Sequence, residues 1–188
     1  MTKKIPPRTG SPTTSAPGLP SASLPAPRRP NAKLSHVSGD GSARMVDVSD
    51  KAESARMARA KGSIRMTKDA LEAIRSHQLA KGDVLSVARV AGIMAAKRTA
   101  DLIPLCHPLV LDDVQITLSA DPGLPGVRAE SQVRSQGRTG VEMEALVAVT
   151  VALVTVYDMA KSADRSMIIG DISLIEKTGG KSGRYIAG

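Results

Sequence analysis

The feature that most constrains the fold is the uncharged run "ALVAVTVALVTVY", Ala145 to Tyr157. Its valines and threonines favour a strand, but the whole segment is longer than ordinary strands. We therefore predict a helix from Gly140 to about Ser162, with Thr139 and Glu142 forming a capping box at its start. The run is short of the ~20 residues that a membrane span needs. Because this helix is apolar on every side, one sheet face cannot cover it, and we expect a second subunit to cover the rest.

Composition excludes several classes of protein. The 188-residue chain has only two aromatic residues, Tyr157 and Tyr185, so its core must be aliphatic. This scarcity counts against binding of single-stranded nucleic acid, because such sites usually stack bases on aromatic rings. A single cysteine excludes an internal disulfide and fits a reducing, cytoplasmic setting.

Most of the net charge of +8 belongs to the N-terminal tail. Residues 1–33 carry six basic side chains and no acidic one, whereas residues 34–188 carry 20 basic and 18 acidic side chains. The Pro- and Ser-rich tail cannot bury enough apolar surface to offset its ordering entropy, so we predict a disordered, solvated extension. Its Arg and Ser content also resembles an organelle transit peptide, although prolines interrupt any amphipathic helix. Residues 34–188 are predicted to form a single domain.

Helix and strand patterns alternate through that domain. Thr67 is positioned to cap a helix over residues 68–77, and Asp83 to cap a second helix from residue 84 to about residue 100. Strand patterns occupy four segments: 58–66, 114–119, 127–136 and 167–176, the last interrupted at Gly170. The "DPGLPG" segment between the second and third predicts an antiparallel hairpin.

The loop "LIPLCHPL", Leu102 to Leu109, joins Cys106 directly to His107. A metal site would need two further ligands, and the chain offers no other cysteine and only His36 and His77. A thiol nucleophile would need a base across the site, whereas sequence neighbours usually point apart. We therefore predict neither site. Cys106 can pack as a small hydrophobic side chain, and His107 can hold an anion or carry a proton.

Acidic residues mark both ends of the long helix. Asp158 and Lys161 are three residues apart, which suits either a surface ion pair or a matched acid and base. Glu142 is explained by the capping box, whereas Glu144 has no such explanation. Glu144 and Asp158 lie roughly 21 Å apart along a helix axis. They can share one small substrate only if two subunits build the site with antiparallel helices.

The C-terminal "KTGGKSG" resembles a P-loop superficially. Ile175 stands where that motif needs glycine, and too few residues follow for a strand and helix crossover. Two interpretations of this segment remain open. The glycine-rich backbone with Lys177 and Lys181 can cradle phosphate, or the segment is a solvated tail.

Five blocks together carry a family resemblance: "RMVDVSDKAESAR", "KGDVLSVARVAGIMAAKRTADLIPLCHPL", "GVEMEAL", "YDMAK" and "KTGGKSG". In this order they closely resemble the cyclic pyranopterin monophosphate synthase family, the molybdenum cofactor biosynthesis protein C family. The resemblance covers about residues 34–186 and leaves the tail outside. Ala160 stands where we expect relatives often to have cysteine, so that thiol is dispensable. The resemblance implies an α+β, ferredoxin-like subunit, with an antiparallel sheet covered by helices, in a homohexamer built as a trimer of dimers.

The resemblance also implies the reaction, in which (8S)-3′,8-cyclo-7,8-dihydroguanosine 5′-triphosphate becomes cyclic pyranopterin monophosphate with release of diphosphate. No electron enters or leaves, so we expect no redox cofactor, in keeping with the absence of a dinucleotide fingerprint or cluster cysteines. Whether Mg²⁺ accompanies the triphosphate stays open. No nucleic-acid or membrane partner is expected.

Roles for individual residues follow from the same resemblance. Asp158 is expected to be the catalytic acid/base with Lys161 beside it, and Lys81 a proton carrier or phosphate contact. The expected substrate-binding residues are Leu105, Cys106, His107, Glu142, Met143, Glu144, Lys177 and Lys181. The rival interpretation is a non-catalytic nucleotide- or anion-binding oligomer. Nucleic-acid binding would depend on the tail alone.

Overall fold

The computed structural model describes residues 42–181 and 183–187, which form a five-stranded antiparallel sheet and four helices. The elements in chain order are β1 (Ser54–Arg65), α1 (Lys68–Arg75), α2 (Val84–Ala96), α3 (Thr99–Leu102), β2 (Asp113–Asp121), β3 (Gly126–Gly137), α4 (Glu142–Ala160), β4 (Ile168–Thr178) and β5 (Tyr185–Ile186). The predicted α+β class, with helices packed on an antiparallel sheet, is confirmed. The tail predicted for residues 1–33 lies outside the described residues.

The strand order in the sheet is β2-β3-β1-β4-β5, and every neighbouring pair is antiparallel. The predicted hairpin is confirmed, since Asp121 pairs with Gly126 and the Leu124 N–H donates to the Asp121 carbonyl at 3.2 Å. β4 runs without a break, but its pairing with β1 is irregular between Lys61 and Ser63, opposite the predicted interruption at Gly170. β1 therefore lies in the middle of the sheet and links its two halves.

The two predicted helix caps are confirmed. The Thr67 hydroxyl accepts the Ala70 N–H at 3.3 Å, and the Asp83 carboxylate accepts the Ser86 N–H at 3.0 Å. α2 ends at Ala96, before the predicted position, and the short α3 follows it. These caps satisfy backbone donors that would otherwise lack partners at the helix starts.

The predicted capping box at the start of α4 is wrong. α4 begins at Glu142, its N-cap is Val141, and no side chain caps it. Glu142 is thus the first helical residue instead of the third, so its carboxylate cannot return to the backbone of Thr139 as a capping box requires. It accepts a hydrogen bond from Lys177 of β4 instead, at 2.8 Å.

α4 is the central core helix. Gly62 of β1 allows it to approach the sheet, because a Cβ there would lie 2.8 Å from Val149 Cγ1. Gly92 of α2 allows α2 to approach α4 closely, because a Cβ there would lie 2.8 Å from the Ala148 carbonyl oxygen of α4. α4 is long and apolar enough to cross a membrane, but half of its most apolar window is buried inside this fold, as in a core helix.

One side of the helix layer remains apolar and exposed in the single chain. Val154 of α4 is 50% exposed and Val90 of α2 is 60% exposed, and Val87 and Met94 of α2 are exposed as well. Val87, Val90 and Met94 are spaced three and four residues apart, so they lie along one face of α2. The apolar surface of the helices therefore extends beyond what the sheet covers.

Enlarging Gly92 should destabilise the contact between α2 and α4. We expect Gly92→Leu to lower the free energy of unfolding by about 1–3 kcal/mol, because the side chain would overpack the space held by Ile116 and the Ala148 backbone. Urea denaturation at one fixed protein concentration measures the change. The exposed Arg89 on the same helix provides the control: Arg89→Ala should stay within about 0.5 kcal/mol of wild type. Equal stability of Gly92→Leu and wild type would contradict close packing here.

Candidate active site

Nine of the eleven residues predicted for the site fall into two groups at opposite ends of α4, and Lys177 and Lys181 line a further cavity described below. The amino-end pocket is a cavity of about 320 Å³ whose lining includes Leu105, Cys106, His107, Glu142, Met143 and Glu144. The carboxyl-end cluster consists of Asp158 and Lys161 on the last turn of α4 and Lys81 from the loop before α2. α4 is continuous over its 19 residues. The two groups therefore remain roughly 21 Å apart within one chain.

Three segments build the amino-end pocket. The loop after α3 supplies Leu105, Cys106 and His107, and the first turn of α4 supplies the acidic residues. The chain before β1 forms a further wall, where the Val46 carbonyl accepts a hydrogen bond from His107 Nε2 at 2.8 Å. Since a carbonyl can only accept, this contact places the proton of the neutral ring on Nε2 and leaves Nδ1 as the acceptor.

Glu144 is the most deeply buried carboxyl of the pocket. It is 4% exposed, and within residues 42–181 and 183–187 it forms no ion pair and no hydrogen bond to another residue. Burial raises the pKa of its carboxyl to about 7, and the nearby charge of Glu142 acts in the same direction. Burial, with the charge of Glu144, also raises the pKa of the Cys106 thiol. The pocket therefore disfavours the thiolate that a nucleophilic cysteine requires.

A basic cavity of about 260 Å³ adjoins the amino-end pocket, and the two share Lys51, Thr139, Gly140 and Glu142. Its lining adds four cationic side chains: Arg56, Arg138, Lys177 and Lys181. Of these, only Lys177 forms an ion pair with a carboxylate of the cavity, that of Glu142, in the part of the chain that the structure describes. Positive charge therefore exceeds negative charge in this cavity.

Sequence reasoning missed three residues of the basic cavity: Lys51, Arg56 and Arg138. Lys51 and Arg56 belong to "RMVDVSDKAESAR", which contributed to the resemblance but received no roles. The backbone carbonyl of Gly137 accepts from Arg56 Nε at 3.2 Å, which orients this guanidinium from a neighbouring strand. Gly180, whose φ is 73°, leaves space that the same guanidinium occupies. These groups come from segments that are distant in the sequence, so no local pattern could have identified them.

Asp158 holds both lysines of the carboxyl-end cluster. Its carboxylate accepts from Lys161 Nζ at 2.7 Å and from Lys81 Nζ at 2.7 Å, and Lys81 also donates to its backbone carbonyl at 3.0 Å. These hydrogen bonds, that from Lys161 above all, lower the pKa of Asp158 to about 2. The side chain of Asp158 is 55% exposed, at a cavity that Arg165 also lines. At neutral pH the cluster is an ionised carboxylate between two ammonium groups.

The similarity to known proteins extends over the part of the chain that contains these residues. A family model described as the MoaC family matches residues 45–180. The chain belongs to the MoaC family. It is 60% identical over 83% of its length to "Cyclic pyranopterin monophosphate synthase" of Methylobacterium sp. (strain 4-46), with 98% of that relative covered. The protein of the same name from Nostoc sp. (strain PCC 7120 / SAG 25.82 / UTEX 2576) is 55% identical over 82% of this chain, with 92% of the relative covered.

The family match includes every predicted site residue except Lys181, which lies one residue beyond it. Residues 1–44 lie outside the match. Among the described residues, no group of three or more His, Cys, Asp or Glu side chains is placed to hold a metal ion. The groups that these cavities offer are thus proton-carrying and cationic side chains.

Glu144 should make stability depend on pH. Because its pKa in the fold, about 7, exceeds the ordinary value of 4.5, its contribution is greatest below pH 4.5 and is lost as the pH rises through 7. We expect the buried charge to cost on the order of 3 kcal/mol at alkaline pH. Glu144→Gln should abolish this part of the pH dependence in urea denaturation, whereas Glu72→Gln, on the exposed side of α1, should preserve it. Parallel pH profiles for wild type and Glu144→Gln would contradict the assignment.

Proposed function

We propose that this chain is a cyclic pyranopterin monophosphate synthase, a lyase of molybdenum cofactor biosynthesis. It converts (8S)-3′,8-cyclo-7,8-dihydroguanosine 5′-triphosphate to cyclic pyranopterin monophosphate and diphosphate. The observation that carries the proposal is 55–60% identity to synthases of this name over 81–83% of the chain. With the exception of Lys181, the acidic, lysine and histidine residues discussed above lie inside the matched residues 45–180.

The two adjoining cavities support a nucleotide-derived triphosphate as the substrate. The amino-end pocket, with Leu105, Cys106 and Met143 in its wall, suits the fused ring. The basic cavity, with Lys177 and Lys181, suits the phosphates. Fixed cations there would also stabilise the negative charge that develops on the departing diphosphate. The proposal applies to the triphosphate with or without bound Mg²⁺. We also propose a cytoplasmic location.

The proposed active site is composite. Ring and phosphates bind at the amino end of α4 in one subunit, and the carboxyl-end cluster comes from a second copy whose α4 runs antiparallel. The separation of roughly 21 Å within one chain supports this arrangement. So does the exposed apolar side of the helix layer, which includes Val90 and Val154. The sheet order β2-β3-β1-β4, with α4 between β3 and β4, supports a ferredoxin-like subunit, and we propose a homohexamer of three dimers.

Within the composite site, Lys161 and Lys81 hold protons on Nζ close to where the ring opens and recloses. Asp158 contacts both ammonium groups, so it fixes their positions. A carboxylate whose pKa lies near 2 is a weak base at neutral pH. We therefore propose that the lysines exchange protons with the substrate and that Asp158 is their charged counterpart.

Turnover by variants tests the reaction. Purified protein given the cyclised triphosphate should release pyrophosphate and form the pterin product. Asp158→Ala and Lys161→Ala should each lower kcat by about 10²- to 10⁴-fold. Arg75→Ala, which removes a surface ion pair on α1, should keep the wild-type rate. Binding of the triphosphate by wild type without pyrophosphate release would favour the non-catalytic oligomer, and wild-type rates in both variants would contradict the catalytic roles.

Mixed oligomers test the composite site. His107→Ala and Lys161→Ala affect different ends of α4, so in a mixed dimer one site carries both changes and the other carries neither. Subunits that bear two different affinity tags are coexpressed, and mixed oligomers are purified through both tags. When subunits assort at random, about half of the dimers in a hexamer are mixed, and each mixed dimer has one intact site out of two. Purified mixed oligomers should therefore recover about a quarter of the wild-type activity, although each parent is nearly inactive. Mixed oligomers of confirmed composition without such recovery would show that each chain builds its own site.

A further inference from the structure

We propose that Arg165 binds the first phosphate of the substrate, which is the phosphate that the pterin product retains. This inference rests on the proposed function and its composite site, because it adds one substrate-binding residue to that site. The basic cavity at the amino end of α4 then holds the two outer phosphates, which leave as diphosphate.

Arg165 lies at the same cavity as the proposed proton-exchanging lysines. This carboxyl-end cavity has a volume of about 320 Å³, and its lining consists of Lys81, Asp158, Lys161, Ser162 and Arg165. α4 ends at Ala160, so Arg165 reaches the cavity from the turn that follows the helix. It therefore belongs to the group that one subunit contributes to the composite site.

The charges of the residues that line this cavity are unequal. Lys81 and Lys161 each donate to the Asp158 carboxylate at 2.7 Å. Within residues 42–181 and 183–187, the Arg165 side chain forms no ion pair and no hydrogen bond with an acidic group. Three cationic side chains therefore face one carboxylate, and the guanidinium is the cation without a counterion among these four. An anionic ligand matches this excess of positive charge.

The backbone around Arg165 is held in place on both sides. The Tyr157 hydroxyl donates to the Arg165 carbonyl at 3.1 Å. The adjacent Asp164 is buried, and its carboxylate accepts the Thr67 N–H at 2.8 Å. Its other oxygen accepts the N–H and the O–H of Ser166 at 2.7 and 2.6 Å. Asp164 is thus engaged away from the cavity, and only the Arg165 side chain has to be ordered when an anion binds.

The chemistry of the guanidinium points to a phosphate. Its N–H groups form a planar fork that can donate two parallel hydrogen bonds to phosphate oxygens, whereas a lysine ammonium acts as a point charge. The triphosphate is the strongly anionic part of the proposed substrate. Arg165 is therefore matched to a phosphate group instead of the fused ring.

The position of Arg165 selects the first phosphate. Lys81 and Lys161 are proposed to exchange protons with the ring, and the sugar joins the first phosphate to that part of the molecule. The outer phosphates extend away from the ring, toward the basic cavity lined by Lys177 and Lys181. Two cationic regions thus suit the two fates of the triphosphate, in which one phosphate stays with the product and two depart.

Binding of the two products to the full-length protein tests this assignment without turnover. Isothermal titration calorimetry gives separate Kd values for cyclic pyranopterin monophosphate and for pyrophosphate. We expect Arg165→Ala to raise the Kd of the pterin product about 10- to 100-fold and to change the Kd of pyrophosphate less than about threefold. Arg75→Ala, which alters a surface arginine of α1, should leave both Kd values at the wild-type level.

Two further variants separate charge from geometry and one phosphate region from the other. Arg165→Lys keeps the positive charge but loses the planar fork, so the Kd of the pterin product should rise only about 3- to 10-fold. Lys181→Ala, in the basic cavity, should weaken pyrophosphate binding more than binding of the pterin product. Thermal melting and size-exclusion chromatography show that each variant retains its fold and assembly.

Three results would overturn the inference. The first is a wild-type Kd of the pterin product in both Arg165 variants. The second is an equal loss of both ligands in Arg165→Ala, because it would mean that the arginine supports the fold or the assembly. The third is selective weakening of the pterin product by Lys181→Ala, because it would reverse the division of the phosphates.

The proposed function and this inference fail in different ways. Wild-type protein that neither releases pyrophosphate from the cyclised triphosphate nor binds the pterin product overturns the proposed function, and the role of Arg165 falls with it. Normal turnover by wild type, together with a wild-type Kd of the pterin product in Arg165→Ala, overturns only the role of Arg165.

Discussion

The close approach of α4 to β1 and α2 is the packing constraint on which the rest of the structure depends. Gly62 and Gly92 remove side chains at the two contact points, where a Cβ would lie within 3 Å of α4 atoms. Aliphatic side chains then fill the layer, and their dispersion contacts are large only when the layers fit closely. This packing brings the first turn of α4 to the loop after α3 and its last turn to Lys81. The proposed site therefore depends on a helix that carries candidate groups at both ends.

The two ends of α4 give carboxyl groups opposite environments. Glu144 is buried at the wall of the amino-end pocket near the acidic Glu142, whereas Asp158 is exposed between two lysines. Burial favours the neutral form of one, and cationic hydrogen-bond donors favour the charged form of the other. The adjoining cavity carries excess positive charge, so the chain offers a carboxyl with a raised pKa, an ionised carboxylate and several cationic side chains. These groups suit the acid/base rearrangement of a nucleotide triphosphate that we propose.

Much of the fold could be predicted because the relevant signals are local. Thr67 and Asp83 cap the helices they were predicted to cap, and the strand alternation around "DPGLPG" predicted the hairpin. The capping box was wrong for a reason that is not local. The spacing of Thr139 and Glu142 is correct for the motif, but Lys177 from β4 provides Glu142 with an ionic partner that the motif does not consider. A side chain with two potential partners takes the stronger, charge-assisted one.

By itself the sequence determined the α+β class, the apolar helix, the two ends at which Glu144 and Asp158 lie, and the family resemblance. Only the tertiary structure decided which groups meet. Lys81 and Asp158 are 77 residues apart, and Lys177 and Glu142 are 35 apart. Helix periods and caps arise from interactions within a few residues, so their patterns are visible along the chain. The basic cavity and the burial of Glu144 arise from pairing and packing between distant segments, and these have no local signature.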